Sequence, residues 1–170
     1  MKRLSIVALA LSFFAAACGS SSTSPTTAVK PTFTASLSPA NEVPAIGNAE
    51  NTGTGNVTVT FDTTTTGGNI TAATATFVAN LSGFPAGTPI NAAHIHPGAA
   101  GVNGGVIVSL ALTAGEVVLT NGSGSFTRGP ITVDPALAQT IMNNPAGYYF
   151  NVHSTINPGG VARGQLQRVQ

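Results

Sequence analysis

The chain carries three histidines, and two of them lie in the segment His94-Ile95-His96. Residues two apart on a β-strand point to the same face, so an extended segment here presents two imidazoles side by side. Neutral imidazole nitrogen is a ligand for copper and zinc. The third, His153, follows the aromatic run Tyr148-Tyr149-Phe150 and supplies a third ligand if its strand adjoins the first. The same residues have a second use, because a neutral ring donates from one nitrogen and accepts at the other. That use joins His94, His96 and His153 to Asn151 and Arg163 in a structural polar network, and the residue types alone favour it over the metal. Arg163 enters on scarcity: only 6% of the chain is charged, and a buried guanidinium needs a partner. Glu42 or backbone carbonyls are the expected partners.

Other chemistry has little to stand on. Cys18 is the single cysteine; it forms no disulfide within the chain and lies ahead of the folded body, which is left without a thiol nucleophile. No G-x-S-x-G elbow is present for a serine nucleophile. Glu42, Glu50, Asp62, Glu116 and Asp134 are scattered, and the ordinary uses of such acids are solubility, turns and helix capping. Gly98, Gly101, Gly104, Gly105, Gly159 and Gly160 are expected in tight turns and bulges. They do not suit a phosphate cradle, since none opens an evident helix after a strand. The expectation is a protein without catalysis and without a required cofactor; a metal-dependent redox enzyme is the alternative. Six basic against five acidic residues give no field to hold a nucleic-acid backbone.

The elements that position these residues begin after a leader. Lys2 and Arg3 precede an apolar run from Leu4 to Ala17, which is too short for a membrane span of about 20 residues and has the pattern of a secretory signal peptide over residues 1–17. The stretch Ala15-Ala16-Ala17-Cys18-Gly19 resembles the lipobox of bacterial lipoproteins, with Ala15 where leucine is usual. The resemblance implies that Cys18 becomes the first mature residue and carries lipid. Residues 18–31 then read as a flexible Ser/Thr/Pro tether, and residues 32–170 as one domain. Partners follow from the anchor: a membrane through the lipid, on the extracytoplasmic face of a bacterial envelope, and a protein or envelope component of unspecified kind. With Lys2 and Arg3 removed, the formal charge moves from +1 to −1.

Period-two alternation marks the body as strands. Phe33, Ala35 and Leu37 alternate with polar residues, as do Val57, Val59 and Phe61, before a polar turn at Thr63 to Gly68. Ile70 to Leu81 is a long strand whose faces exchange at a bulge. Further strands are expected at Ile90–His96, Gly105–Leu110, Glu116–Leu119, Ser125–Thr127, Tyr148–His153 and Val161–Val169. Asp134 as N-cap, Pro135 at the first helical position and the stop Asn143-Asn144-Pro145 predict one short helix near 134–143. Short strands with Gly- and Pro-rich turns indicate an all-β, Greek-key-like antiparallel β-sandwich or barrel.

Three segments carry a family resemblance: Leu37 to Pro44 (LSPANEVP), Ala92 to Gly105 around the histidine pair, and Tyr148 to Leu166 around His153 and Arg163. Together they resemble the CHRD domain, named for its occurrence in chordin, from about Phe33 to Leu166. The resemblance implies a β-sandwich in a secreted or surface protein, without carrying over chordin's binding partners. This chain has Val161-Ala162 where family members often have Glu-Ile. The histidine strand and the later Gly-Gly-x-x-Arg segment resemble copper-zinc superoxide dismutase more faintly, and three histidines are too few for its dinuclear site.

Overall fold

The computed structural model describes residues 29–170. The signal peptide over 1–17, the lipidation at Cys18 and most of the tether therefore lie outside the described residues.

Alternating Thr and apolar residues give long strands where both faces have a use. The order is β1 (Thr32–Leu37), β2 (Thr54–Thr66), β3 (Asn69–Ser82), β4 (Thr88–Pro97), β5 (Val108–Ser109), β6 (Val117–Leu119), β7 (Gly124–Val133), α1 (Pro135–Asn143), β8 (Tyr148–Ser154), β9 (Ala162–Gln165) and β10 (Gln167–Arg168). One sheet runs β10-β1-β2-β3-β7; the other runs β5-β4-β8-β9, with β6 also paired to β4. Every ladder is antiparallel. The architecture is the expected antiparallel β-sandwich with one short helix.

The odd-numbered side chains of β1, β2 and β3, from Phe33 to Leu81, turn inward against Ile90, Ala93, Ile95, Phe150 and Val152 of the second sheet. Phe77 and Phe150 stack across the two sheets at 6.0 Å, and Phe33 meets Phe61 edge-on at 5.8 Å. Full burial of each such ring contributes about 1.5–3 kcal/mol. The helix begins where expected: Asp134 Oδ1 accepts from the Leu137 amide at 2.9 Å, and Ala138, Ile141 and Met142 are buried.

Four boundaries differ from the sequence expectation, each for a physical reason. The threonines placed in a turn at 63–66 stay in β2, as β-branched residues favour, and the turn shrinks to Gly67-Gly68, both at positive φ. The strand expected over Gly105–Leu110 is only Val108–Ser109, because the chain enters it from a loop whose Gly104 carbonyl is turned to His96 and reaches β4 only at the Ile107 amide. The strand at Ser125–Thr127 extends through Pro130 to Val133; β7 is a sheet edge, where a missing amide donor is tolerated. The final segment breaks into two strands in different sheets, β9 beside β8 and β10 beside β1.

Two bulges set the faces. In β3 the partners of Thr64 and Thr65 are Ala72 and Ile70, so Thr71 is the extra residue of the anticipated face change. In β4 the partners step from Ile90–Ser154 to Ala92–His153, which leaves Asn91 as an extra residue. Before it the even-numbered Ile90 points into the core; after it Ala93 and Ile95 do, and His94 and His96 go to the outer face.

Candidate functional site

Register on that outer face lays out the site. His94 is opposite Asn151, and Asn151 is opposite Arg163; His96 is opposite Tyr149, and Tyr149 is opposite Gln165; Ala92 is opposite His153. Directly opposed residues of an antiparallel pair share a face, so the three histidines, Asn151, Tyr149 and Arg163 form one patch. The patch is on the outside of its sheet and yet covered. His96 is 6% exposed, His153 9%, Asn151 2% and Arg163 2%, while His94 is only half-buried.

The cover is made by loops that fix the rings. His96 Nδ1 lies 3.0 Å from the Gly104 carbonyl, and His153 Nδ1 lies 2.8 Å from the Pro158 carbonyl. A carbonyl only accepts, so in each neutral ring Nδ1 carries the proton and Nε2 is a bare lone pair. Gly104 is required where it is: a Cβ there would fall 1.8 Å from the Pro97 carbonyl oxygen. Its amide also donates to the Tyr149 hydroxyl at 3.2 Å. Tyr149 stacks on His96 at 4.9 Å with an interplanar angle of 6°, and the Arg163 guanidinium lies over its ring at 4.6 Å.

The inward nitrogens converge. One ligand atom from each of His94, His96 and His153 lies within 4.8 Å of the others. Three atoms so placed share a point no more than about 2.8 Å away, against zinc–imidazole distances of about 2.0–2.1 Å. His94 Nδ1 is 3.0 Å from His153 Nε2, and Asn151 Oδ1 is 3.0 Å from the Nε2 atoms of both His96 and His153. Two bare nitrogens against an amide oxygen are lone pairs in mutual contact, and they call for a cation or a proton donor among them. Burial lowers the His94 pKa to about 4, helped by the neighbouring His153 and His96. Burial likewise lowers that of His153, against the raising effect of the Pro158 carbonyl. Both rings are therefore neutral near pH 7, with nitrogens free to bind a metal.

Arg163, within this patch, and Glu42 beside it do not form the expected ion pair. The ion pairs among the described residues are Lys30–Asp62 and Arg128–Glu116. Arg163 instead donates from Nε to the Asn41 carbonyl at 2.6 Å and from Nη1 to Asn103 Oδ1 at 2.8 Å. Its Nη2 and Glu42 Oε1 are buried without a hydrogen-bond partner. Burial raises the Glu42 carboxyl to about 7, although the Arg163 charge and the Asn151 side chain pull the other way. The backbone-carbonyl alternative is thus the one realised for Arg163.

Glu50 corrects the expectation of a solvated acid. It is 0% exposed, and its Oε2 accepts from Ser154 Oγ at 2.6 Å and from the Asn157 side chain. Tyr149 and Gly104 also went unrecognised as parts of the site. Tyr149 was accessible to sequence reasoning, because the period of two puts it on one face with Asn151 and His153.

A cleft of about 510 Å³ lies to one side, lined by Asn41, Glu42, Arg163 and Gln165 among others. No histidine lines it. The space between the histidines themselves suits an ion rather than an organic molecule.

The fold and site define an antiparallel β-sandwich with a three-histidine cluster on the covered outer face of one sheet. A model of the CHRD domain family matches residues 33–166, and the chain belongs to that family. No curated protein matches the sequence.

Proposed function

We propose that this CHRD-domain protein is a lipid-anchored module of the bacterial cell envelope that binds a copper or zinc ion through His94, His96 and His153 and carries out no reaction of its own. The observation that carries the metal is the pair of backbone carbonyls, Gly104 and Pro158, that hold the Nδ1 protons of His96 and His153. A metal-ligating histidine commonly donates its other N–H to such a group, which orients the ring and raises its basicity. Here that brace aims two Nε2 lone pairs at one point beside a third imidazole. Metal-free protein is dialysed against zinc or copper(II) and its metal content measured. One equivalent bound by the native chain, and less than a tenth of that by a His96→Ala/His153→Ala variant, supports the site. Equal binding by both refutes it.

A closed network is the second reading, and Glu42 favours it. With the Asn151 amide turned over, its two N–H groups donate to the Nε2 atoms of His96 and His153. Its oxygen then faces the Glu42 carboxyl, which must be protonated to donate, and burial raises that carboxyl's pKa in the direction that favours the proton. The metal measurement separates the two.

The anchor rests on the lipobox-like Ala15-Ala16-Ala17-Cys18-Gly19 segment and the placement of the only cysteine. Among the described residues no helix is long and apolar enough to cross a membrane. Membrane association would then come from the lipid, each buried acyl CH₂ contributing about 0.8 kcal/mol.

A further inference from the structure

The three imidazoles are not held alike. His96 is fixed by the Gly104 carbonyl on one side and by the Tyr149 ring on its face. His153 is fixed by the Pro158 carbonyl and is 9% exposed. His94 is half-buried, and its one hydrogen-bonded contact among the described residues is inward, from Nδ1 to His153 Nε2. No carbonyl, carboxylate or ring among those residues holds its Nε2. On the side away from β8 its neighbour is β5, two residues long, where the opposed residue is the exposed Ser109.

A structural zinc site is closed by four protein ligands, whereas a three-ligand site leaves one position open to an incoming donor, and a histidine whose outer nitrogen has no partner is the weaker ligand. The present cluster combines two braced, buried ligands with one unbraced ligand at the surface. We infer, on the footing of the metal site proposed above, that this is a transfer site. His94 is the ligand that leaves when a copper or zinc ion is handed to an incoming nitrogen- or sulfur-donor chelator, and the ion enters by the same side. In the step a donor atom bonds to the metal as the bond to His94 Nδ1 breaks. His94 is left neutral, the metal keeps its oxidation state and no electron is transferred; a thiol donor binds as its thiolate, its proton passing to solvent. The braced pair His96 and His153 retains the ion until the incoming ligand has engaged.

The test uses the full folded chain loaded with one equivalent of zinc and mixed in a stopped-flow instrument with a chromogenic zinc chelator. Transfer through an open ligand position is associative, so the rate is expected to rise in proportion to chelator over a hundredfold range of concentration. A rate that levels off at a value independent of chelator means that the site must open by itself first; this overturns the transfer mechanism and leaves the metal site standing. Failure to take up zinc overturns both. His94→Ala, checked for native circular dichroism, is expected to bind zinc at least tenfold more weakly. An unchanged affinity and transfer rate in that variant removes His94 from the site and with it the inference. A variant that does not fold is replaced by His94→Asn, which keeps a polar side chain at the half-buried position and is read by the same two criteria.

Discussion

Replacing Glu42 by glutamine tests the electrostatics beside the histidines and decides between two accounts of this acid. Glu42 is 7% exposed, and burial raises its carboxyl from 4.5 to about 7. An acid whose folded pKa lies above its unfolded value favours folding most when protonated. Its contribution is complete below pH 4.5 and is lost as the pH rises through 7. Between those limits the displacement corresponds to about 3 kcal/mol. His94 and His153 act in the opposite sense: with pKa values lowered in the fold, their contribution is present above about 6.5 and is lost as the pH falls, through about 4 for His94. These slopes oppose each other in the native protein, so its own pH profile does not isolate Glu42. The difference between native protein and Glu42→Gln does, because the histidines are common to both.

The assay is urea unfolding followed by circular dichroism, with EDTA present, at intervals from pH 4.5 to 8. The stability of the native chain minus that of the variant is expected to fall by about 3 kcal/mol across the range. Had Glu42 formed the ion pair with Arg163 that its scarcity suggested, its pKa would be depressed, and the difference would instead rise with pH through about 4. A flat or rising difference therefore refutes the burial argument.

Three further outcomes follow from particular contacts. Gly104→Ala forces the loop away from the Pro97 carbonyl and loosens the Gly104 support of His96; zinc affinity by chelator competition should fall about 10- to 100-fold, with Gly105→Ala, which meets nothing within 4 Å, as the control. Phe77→Ala removes one half of the ring stack that joins the two sheets, and denaturant unfolding should register a loss of about 3–5 kcal/mol. Cys18→Ala, expressed with its leader, should move the protein from the membrane to the soluble fraction on cell fractionation, and continued sedimentation with membranes would count against the lipid.

Much of this molecule could be read from period alone. Alternation of Thr with Val, Phe and Ala located the long strands, and the Asp134-Pro135 start located the helix. The family followed from the segments around Asn41, His94 and His153. Long-range information was missing. Which strand lies beside which, and in what register, is decided by packing across the core. Hence the period alone gives the final segment as one strand, although Leu166 marks the crossing of the chain from one sheet to the other. The same limit applied to Arg163. Its rarity indicated burial, but its partners, the Asn41 carbonyl and Asn103, are supplied by loops distant in sequence. Glu50 gave no local signal at all, since Ser154 and Asn157 meet it across more than 100 residues.

The bulge at Asn91 connects the fold to the site. With strict alternation from Ile90, the even-numbered His94 and His96 would enter a core of Phe and Ile, where an imidazole lacks hydrogen-bond partners and its burial is costly. One extra residue transfers both rings to the outer face and brings Ala93 and Ile95 inward. An outer face would ordinarily be solvated, and solvated imidazoles would be mobile. The loop after β4 prevents this by folding back over its own strand, so that the Gly104 carbonyl meets the ring of His96 eight residues earlier. The loop after β8 does the same for His153 with Pro158. Each buried histidine is thus clamped by the loop that follows its own strand. His94 has no such clamp, and the asymmetry of the cluster follows from how these two short loops end.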